Sequence, residues 1–154
     1  MKYLLLILSV FMLSCSAIFA IDVTTDFPNV YVQVSRENIE NKTPIYIDYP
    51  VVLNVSGVVP DTNWEMRVSM NRTEINDDNL KVYIQRISRG DGDSENPVDG
   101  QQYVQIDDII PTFFFKGTGN RMNIECQIKI ECERLDDFFK DSDFEILFTA
   151  VEII

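Results

Sequence analysis

Apolar and polar side chains alternate with a period of two along most of this chain, which is the pattern of strands with one buried face. Val30, Val32 and Val34 alternate with Tyr31, Gln33 and Ser35. Ile45, Ile47, Tyr49, Val51, Leu53 and Val55 repeat the pattern, with Pro50 marking an edge, a bend or a bulge midway. After the turn Val58-Val59-Pro60-Asp61-Thr62-Asn63, the side chains of Trp64, Met66, Val68 and Met70 face one way and those of Glu65, Arg67, Ser69 and Asn71 the other. Further strands are predicted around Leu80, Val82 and Ile84, at Tyr103 to Ile106, from Ile109 to Phe115 with Pro111 interrupting, through NIECQIKIECE at 123–133, and from Phe144 to Ile154. Apolar spacing of three and four is not sustained over ten residues anywhere, so no long helix is expected. Leu135 to Lys140 makes at most one short turn. The expectation is an all-β chain, an antiparallel Greek-key β-sandwich of seven to eight strands. It forms a single domain over residues 21–154.

The N-terminus departs from this pattern. After Met1-Lys2, Tyr3 to Ile21 is apolar or small throughout and then meets Asp22, the layout of an export signal at residues 1–20. Cleavage after Ala20 or after Ala17 both place alanine before the cut. Two other readings stay open. One is a lipoprotein signal in which Cys15 is acylated, although Met12-Leu13-Ser14 differs from the usual residues before such a cysteine. The other is an uncleaved anchor, since the run is just long enough for a hydrocarbon core of about 30 Å. Each directs the protein out of the cytoplasm, to the periplasm, the cell surface or the medium.

Without Cys15, the chain retains Cys126 and Cys132 on one face of the 123–133 strand. At about 3.3 Å per residue the two lie roughly 20 Å apart, well beyond disulfide reach. They are expected to be buried free thiols that pack as small hydrophobes.

Charge and composition narrow the chemistry. The formal charge is −12, with 13 Lys and Arg against 25 Asp and Glu, and the cations are scattered singly. Phosphate backbones need clustered cations, so nucleic acid is not an expected partner. The chain has no histidine, which removes Ser-His-Asp and Cys-His nucleophile systems, imidazole bases and His-ligated zinc. Carboxylate-pair catalysis would have to use Asp107-Asp108 or Asp136-Asp137. Neighbours on a strand point to opposite faces, so these read as solvated loop acids and no enzyme is expected.

The densest polar stretch is Gly90-Asp91-Gly92-Asp93-Ser94-Glu95-Asn96-Pro97-Val98-Asp99-Gly100. Asp91, Asp93 and Glu95 stand at the one, three, five spacing with which a loop wraps a hard cation, and Asp99 adds a fourth carboxylate, so calcium is the one candidate cofactor. Asn96 occupies the position where a calcium loop carries glycine, and Gln102 the one where it carries a bidentate Glu. The same residue types also serve a plain solvated turn. Among the aromatics, Trp64 reads as a core anchor. Phe113-Phe114-Phe115 and Phe138-Phe139 must divide between two faces if extended, which makes them candidates for contact with a protein partner. Asn-x-Ser/Thr triplets occur at Asn41, Asn54 and Asn71, a short motif that carries little weight by itself.

The Trp64-x-Met66 strand after a Pro-Asp turn, the central polar hairpin and the closing DSDFEILFTAVEI strand together resemble the immunoglobulin-like modules of bacterial surface and fimbrial subunits. The likeness spans most of residues 28–154, without a counterpart to the fimbrial intramolecular disulfide. It implies an exported, non-catalytic structural or adhesin-like module acting by protein-protein contact, including contact between copies of itself. The alternative is a carbohydrate-binding module, assisted by calcium at the 90–100 loop. Ile21, Val23, Thr25 and Phe27 alternate ahead of the first strand, either as the domain's own first strand, the favoured reading, or as an extension donated to a neighbour's sheet.

Overall fold

The computed structural model describes residues 21–26, 45–72, 80–92, 95–108, 110–132 and 144–153. The leader at 1–20 with Cys15, the Val30–Ser35 pattern, Leu135–Lys140, Asp136-Asp137, Phe138-Phe139 and Asp93 lie outside the described residues. Eight strands are present and no helix among the described residues: β1 Asp22–Asp26, β2 Ile45–Ser56, β3 Asn63–Arg72, β4 Leu80–Arg86, β5 Val104–Gln105, β6 Thr112–Thr118, β7 Arg121–Cys132 and β8 Phe144–Glu152. They form two antiparallel sheets, of five strands in the order β1-β2-β7-β4-β5 and of three in the order β6-β3-β8.

The core is built from the inward row of each strand, as the alternation predicts. Val51, Leu53 and Val55 of β2, Val82 and Ile84 of β4, and Ile124, Cys126, Ile128 and Ile130 of β7 face Trp64, Met66, Val68 and Met70 of β3 and Phe114 and Phe115 of β6. Burying such side chains contributes about 1.5–3 kcal/mol each, the dominant favourable term. Trp64 is fully buried and its Nε1 donates to the Gly119 carbonyl at 2.8 Å, so the indole keeps its hydrogen bond away from water. Gly117, opposite Trp64 in the register of β3 and β6, has no side chain because the indole occupies that space. The cross-sheet corner at Gly119-Asn120 is tied down twice more. Gly119 N–H donates to the Thr62 carbonyl, and Val58 N–H to Asn120 Oδ1 at 2.9 Å.

Two irregularities decide which side chains face inward. Between β3 and β6 the pairs run Met66↔Phe115 and then Arg67↔Phe113, so Phe114 is an extra residue on β6. Between β2 and β7 they run Leu53↔Ile124 and then Val55↔Arg121, which places an extra residue on β7 at Met122-Asn123, where Asn123 has a φ of 55°. Each bulge reverses the inward-outward parity beyond it. Pro50 carries no register shift. It lies beyond the end of β1, which pairs with β2 only from Val52 to Ser56. β1 itself is a strand of the domain's own sheet, as favoured, and it lies against β8 of the other.

Candidate functional site

The three consecutive phenylalanines divide between two faces as expected, and the β6 bulge decides how. Phe114 and Phe115 are both buried, with edge-to-face ring packing at 4.8 Å between them and 5.7 Å from Phe115 to Trp64. Only Phe113 is exposed, at 38%, and Lys116 Nζ lies 5.7 Å from its ring centre. Phe114 and Phe115 are therefore core residues, a correction to their expected surface role, and of the three only Phe113 stays at the surface.

The 87–100 loop is organised by two arginines that the alternation did not single out. Arg86 continues the inward row of Val82 and Ile84, and Arg121 is turned inward by the β7 bulge. They are 3% and 2% exposed. The Arg86 guanidinium stacks 5.6 Å from the Phe115 ring centre. It donates from Nη1 to the Ser88 carbonyl at 2.9 Å, from Nη2 to those of Pro97 and Asp99 at 3.2 and 2.7 Å, and from Nε to Asp99 again at 3.1 Å. Arg121 Nη2 donates to the Glu95 carbonyl. Arginine suits this position because its planar fork meets several carbonyls at once and is only weakly hydrated to begin with. Burial pushes the Arg86 guanidinium below its ordinary value, but that value is high enough for the charge to persist.

The loop backbone thus wraps cations, and those cations are guanidiniums supplied by β4 and β7. None of the described loop carboxylates supplies these hydrogen bonds. Asp91 Oδ2 accepts from Asn123 Nδ2 at 2.9 Å, while the Asp91 backbone pairs with Met122 of β7. Glu95 and Asp99 are exposed, and Asp99 adopts a φ of 67° at the turn that presents its carbonyl to Arg86. Among the described residues no three acidic, cysteine or histidine side chains come together as a metal site. The loop also covers one sheet edge, since Val98 forms a β-bridge with Lys116 on the far side of β6 from β3.

The outer face of the five-stranded sheet is polar. Asp48, Lys129, Tyr83 and Gln105 form one cross-strand row. Lys129 Nζ sits 4.5 Å from the Tyr83 ring centre and 4.9 Å from that of Tyr103, whose hydroxyl donates to Asp48 Oδ1 at 3.4 Å. An ammonium therefore lies over each of these rings, where a sugar-stacking platform would present open ring faces. Asp107 and Asp108 are exposed. Ile110 N–H donates to Asp107 Oδ1 at 3.3 Å and the Asp107 carbonyl accepts from Met70 N–H, a structural use of a loop acid.

Among the described residues β1, β5, β6 and β8 are edge strands, and β8 is the longest of them. It pairs with β3 over nine residues without a register shift, and no described strand pairs with its other side. Ile153 N–H donates to the Asn63 carbonyl, so the odd-numbered residues of β8 bond to β3, and the N–H and C=O groups of Ile146, Phe148, Ala150 and Glu152 point away from it. Leu147, Val151 and Ile153 stand exposed on the outer face at 43%, 42% and 38%. The inward residues Ile146, Phe148 and Ala150 are only partly buried, while those of the central strand β3 are fully so.

Compared with family models, curated proteins and solved structures, the chain matches none. The reading of its function therefore rests on the geometry above.

Proposed function

We propose that this chain is an exported, non-catalytic, immunoglobulin-like contact module of a bacterial surface or periplasm, acting through protein-protein association. The observation that carries the reading is β8: an edge with no described strand paired to it, regular along its length, beside an exposed apolar row. Natural proteins protect such edges with lysine, proline, bulges or cover, because an open edge recruits another strand. From Glu145 to Ile153 this strand has none of the first three. The absence of histidine and the structural use of Asp107 support a non-catalytic role. The apolar N-terminal run supports export.

Chemical cross-linking of intact producing cells tests this reading. The expected result is recovery of the chain in covalent adducts with protein, itself or another. Retardation of the purified protein in gels containing polysaccharide, with no protein adducts on cells, would replace it with the carbohydrate-binding alternative.

A further inference from the structure

The exposed edge of β8 is complementary to itself. Suppose a second copy approaches antiparallel about a two-fold axis normal to the sheet at Thr149. Outward residues then meet outward residues, Leu147 facing Val151 and Glu145 facing Ile153, each contact occurring twice. On the inner face Phe148 meets Ala150, large against small, and Ile146 meets Glu152. No carboxylate faces another, although the chain as a whole carries −12. The hydrogen bonding agrees with this register. Ile146, Phe148, Ala150 and Glu152 are the residues whose N–H and C=O groups point away from β3, and this pairing sets Phe148 opposite Ala150 and Ile146 opposite Glu152, so each facing pair exchanges two bonds. Thr149, bonded to β3 through Arg67, falls at the non-hydrogen-bonded position on the axis, where Cα atoms approach to about 4.5 Å.

We infer that the partner of β8 is a second copy of this chain, paired edge to edge so that two three-stranded sheets become one continuous six-stranded sheet. This rests on the contact-module reading and names its partner. A single strand edge is a small interface, below the roughly 1,000 Å² of a tight complex, so the association is a weak, concentration-dependent dimer.

The test is light scattering of the purified protein across concentration, with two charge variants at the axis. Thr149 is exposed, so Thr149→Lys and Thr149→Glu leave the core intact, which thermal melting checks. Each places like charges face to face, and each alone is expected to weaken the dimer at least tenfold. An equimolar mixture of the two is expected to restore association as a heterodimer. Ala150→Pro removes an N–H that points away from β3, and it is expected to abolish the dimer without unfolding the domain. A wild-type monomer at every concentration would overturn the inference, as would a dimer indifferent to both charge variants or a mixture no more associated than its components. If the monomer still forms adducts with a different protein on cells, the inference fails and the contact-module reading stands; if no protein adducts form, both fail.

Discussion

Under the 87–100 loop, the carbonyls of Ser88, Glu95, Pro97 and Asp99 all receive guanidinium hydrogen bonds, whereas along β8 the backbone groups of every second residue pair with no described strand. Both regions are rich in polar groups, and sequence inspection points to the loop first, because acids and glycines are conspicuous. The difference shows where association can occur. A group already satisfied inside the domain gains little by meeting a ligand, while an unpaired strand edge gains a hydrogen bond for each one it trades with water and shields apolar neighbours at the same time. The described carbonyls of the loop are satisfied within the domain, and β8 is an edge that is not.

Replacing Arg86 should produce the largest effect on the closed side. Arg86→Met leaves the carbonyls of Ser88, Pro97 and Asp99 without their donors beside a buried ring, and is expected to lower unfolding stability by about 3–4 kcal/mol, read from denaturant titration. Thr149→Ala on β8 should change it by less than about 0.5 kcal/mol. Equal losses at the two positions would erase the contrast. Gly117→Ala forces a methyl group into the Trp64 indole across the β3–β6 pair and should cost about 2–3 kcal/mol, accompanied by a shift in Trp64 fluorescence.

Alkali probes the same closed side more gently. Burial pushes the Cys126 thiol up to about 12 from an ordinary 9.0, with nearby Arg86 opposing the rise. The unfolded chain therefore releases this proton first, so the stabilisation is complete below about pH 9 and is lost as pH rises toward 12, at most about 1.4 kcal/mol per pH unit. The raised values of Tyr49 and Tyr103, both from burial first, act in the same direction. In Cys126→Ala the fall in stability between pH 9 and 11 should be shallower; an unchanged slope would remove the thiol from the account. The smallest effect is expected at the loop carboxylates. Asp91→Asn should cost under about 1 kcal/mol, and millimolar calcium should leave the melting temperature of wild type and variant alike unmoved. A calcium-dependent rise lost in Asp91→Asn would establish a cation site in the loop.

Much of this architecture is legible in the sequence, because alternation reports directly which face of a strand is buried. The Trp64–Met70 row and the inward row Ile124, Cys126, Ile128 and Ile130 sit as their spacing implies. Misreadings begin where a bulge breaks the period. Three consecutive phenylalanines look like one strand divided between two faces, but one extra residue turns Phe114 and Phe115 inward together. Arg121 is out of phase with Ile124, Cys126 and Ile128 and so reads as outward, until Asn123 in the left-handed region reverses the parity. An asparagine near the start of a strand, tolerant of positive φ, was the available signal. Arg86 is in phase with Val82 and Ile84, but its charge marks it as a surface residue to any reading by residue type. The open edge of β8 has no sequence signal, since strand order within a sheet is a long-range property.

Amide hydrogen exchange along β8, followed by NMR at low and high protein concentration, tests the contrast between closed loop and open edge most directly. The account predicts alternation in dilute solution, with Leu147, Thr149, Val151 and Ile153 protected by β3 and Ile146, Phe148, Ala150 and Glu152 exchanging fast. At high concentration protection should spread to the second set. Uniform protection in dilute solution would mean that the edge is already covered within one chain, and alternation that persists at every concentration would mean that no second copy pairs with it; the first result contradicts the open edge itself and the second contradicts its proposed partner.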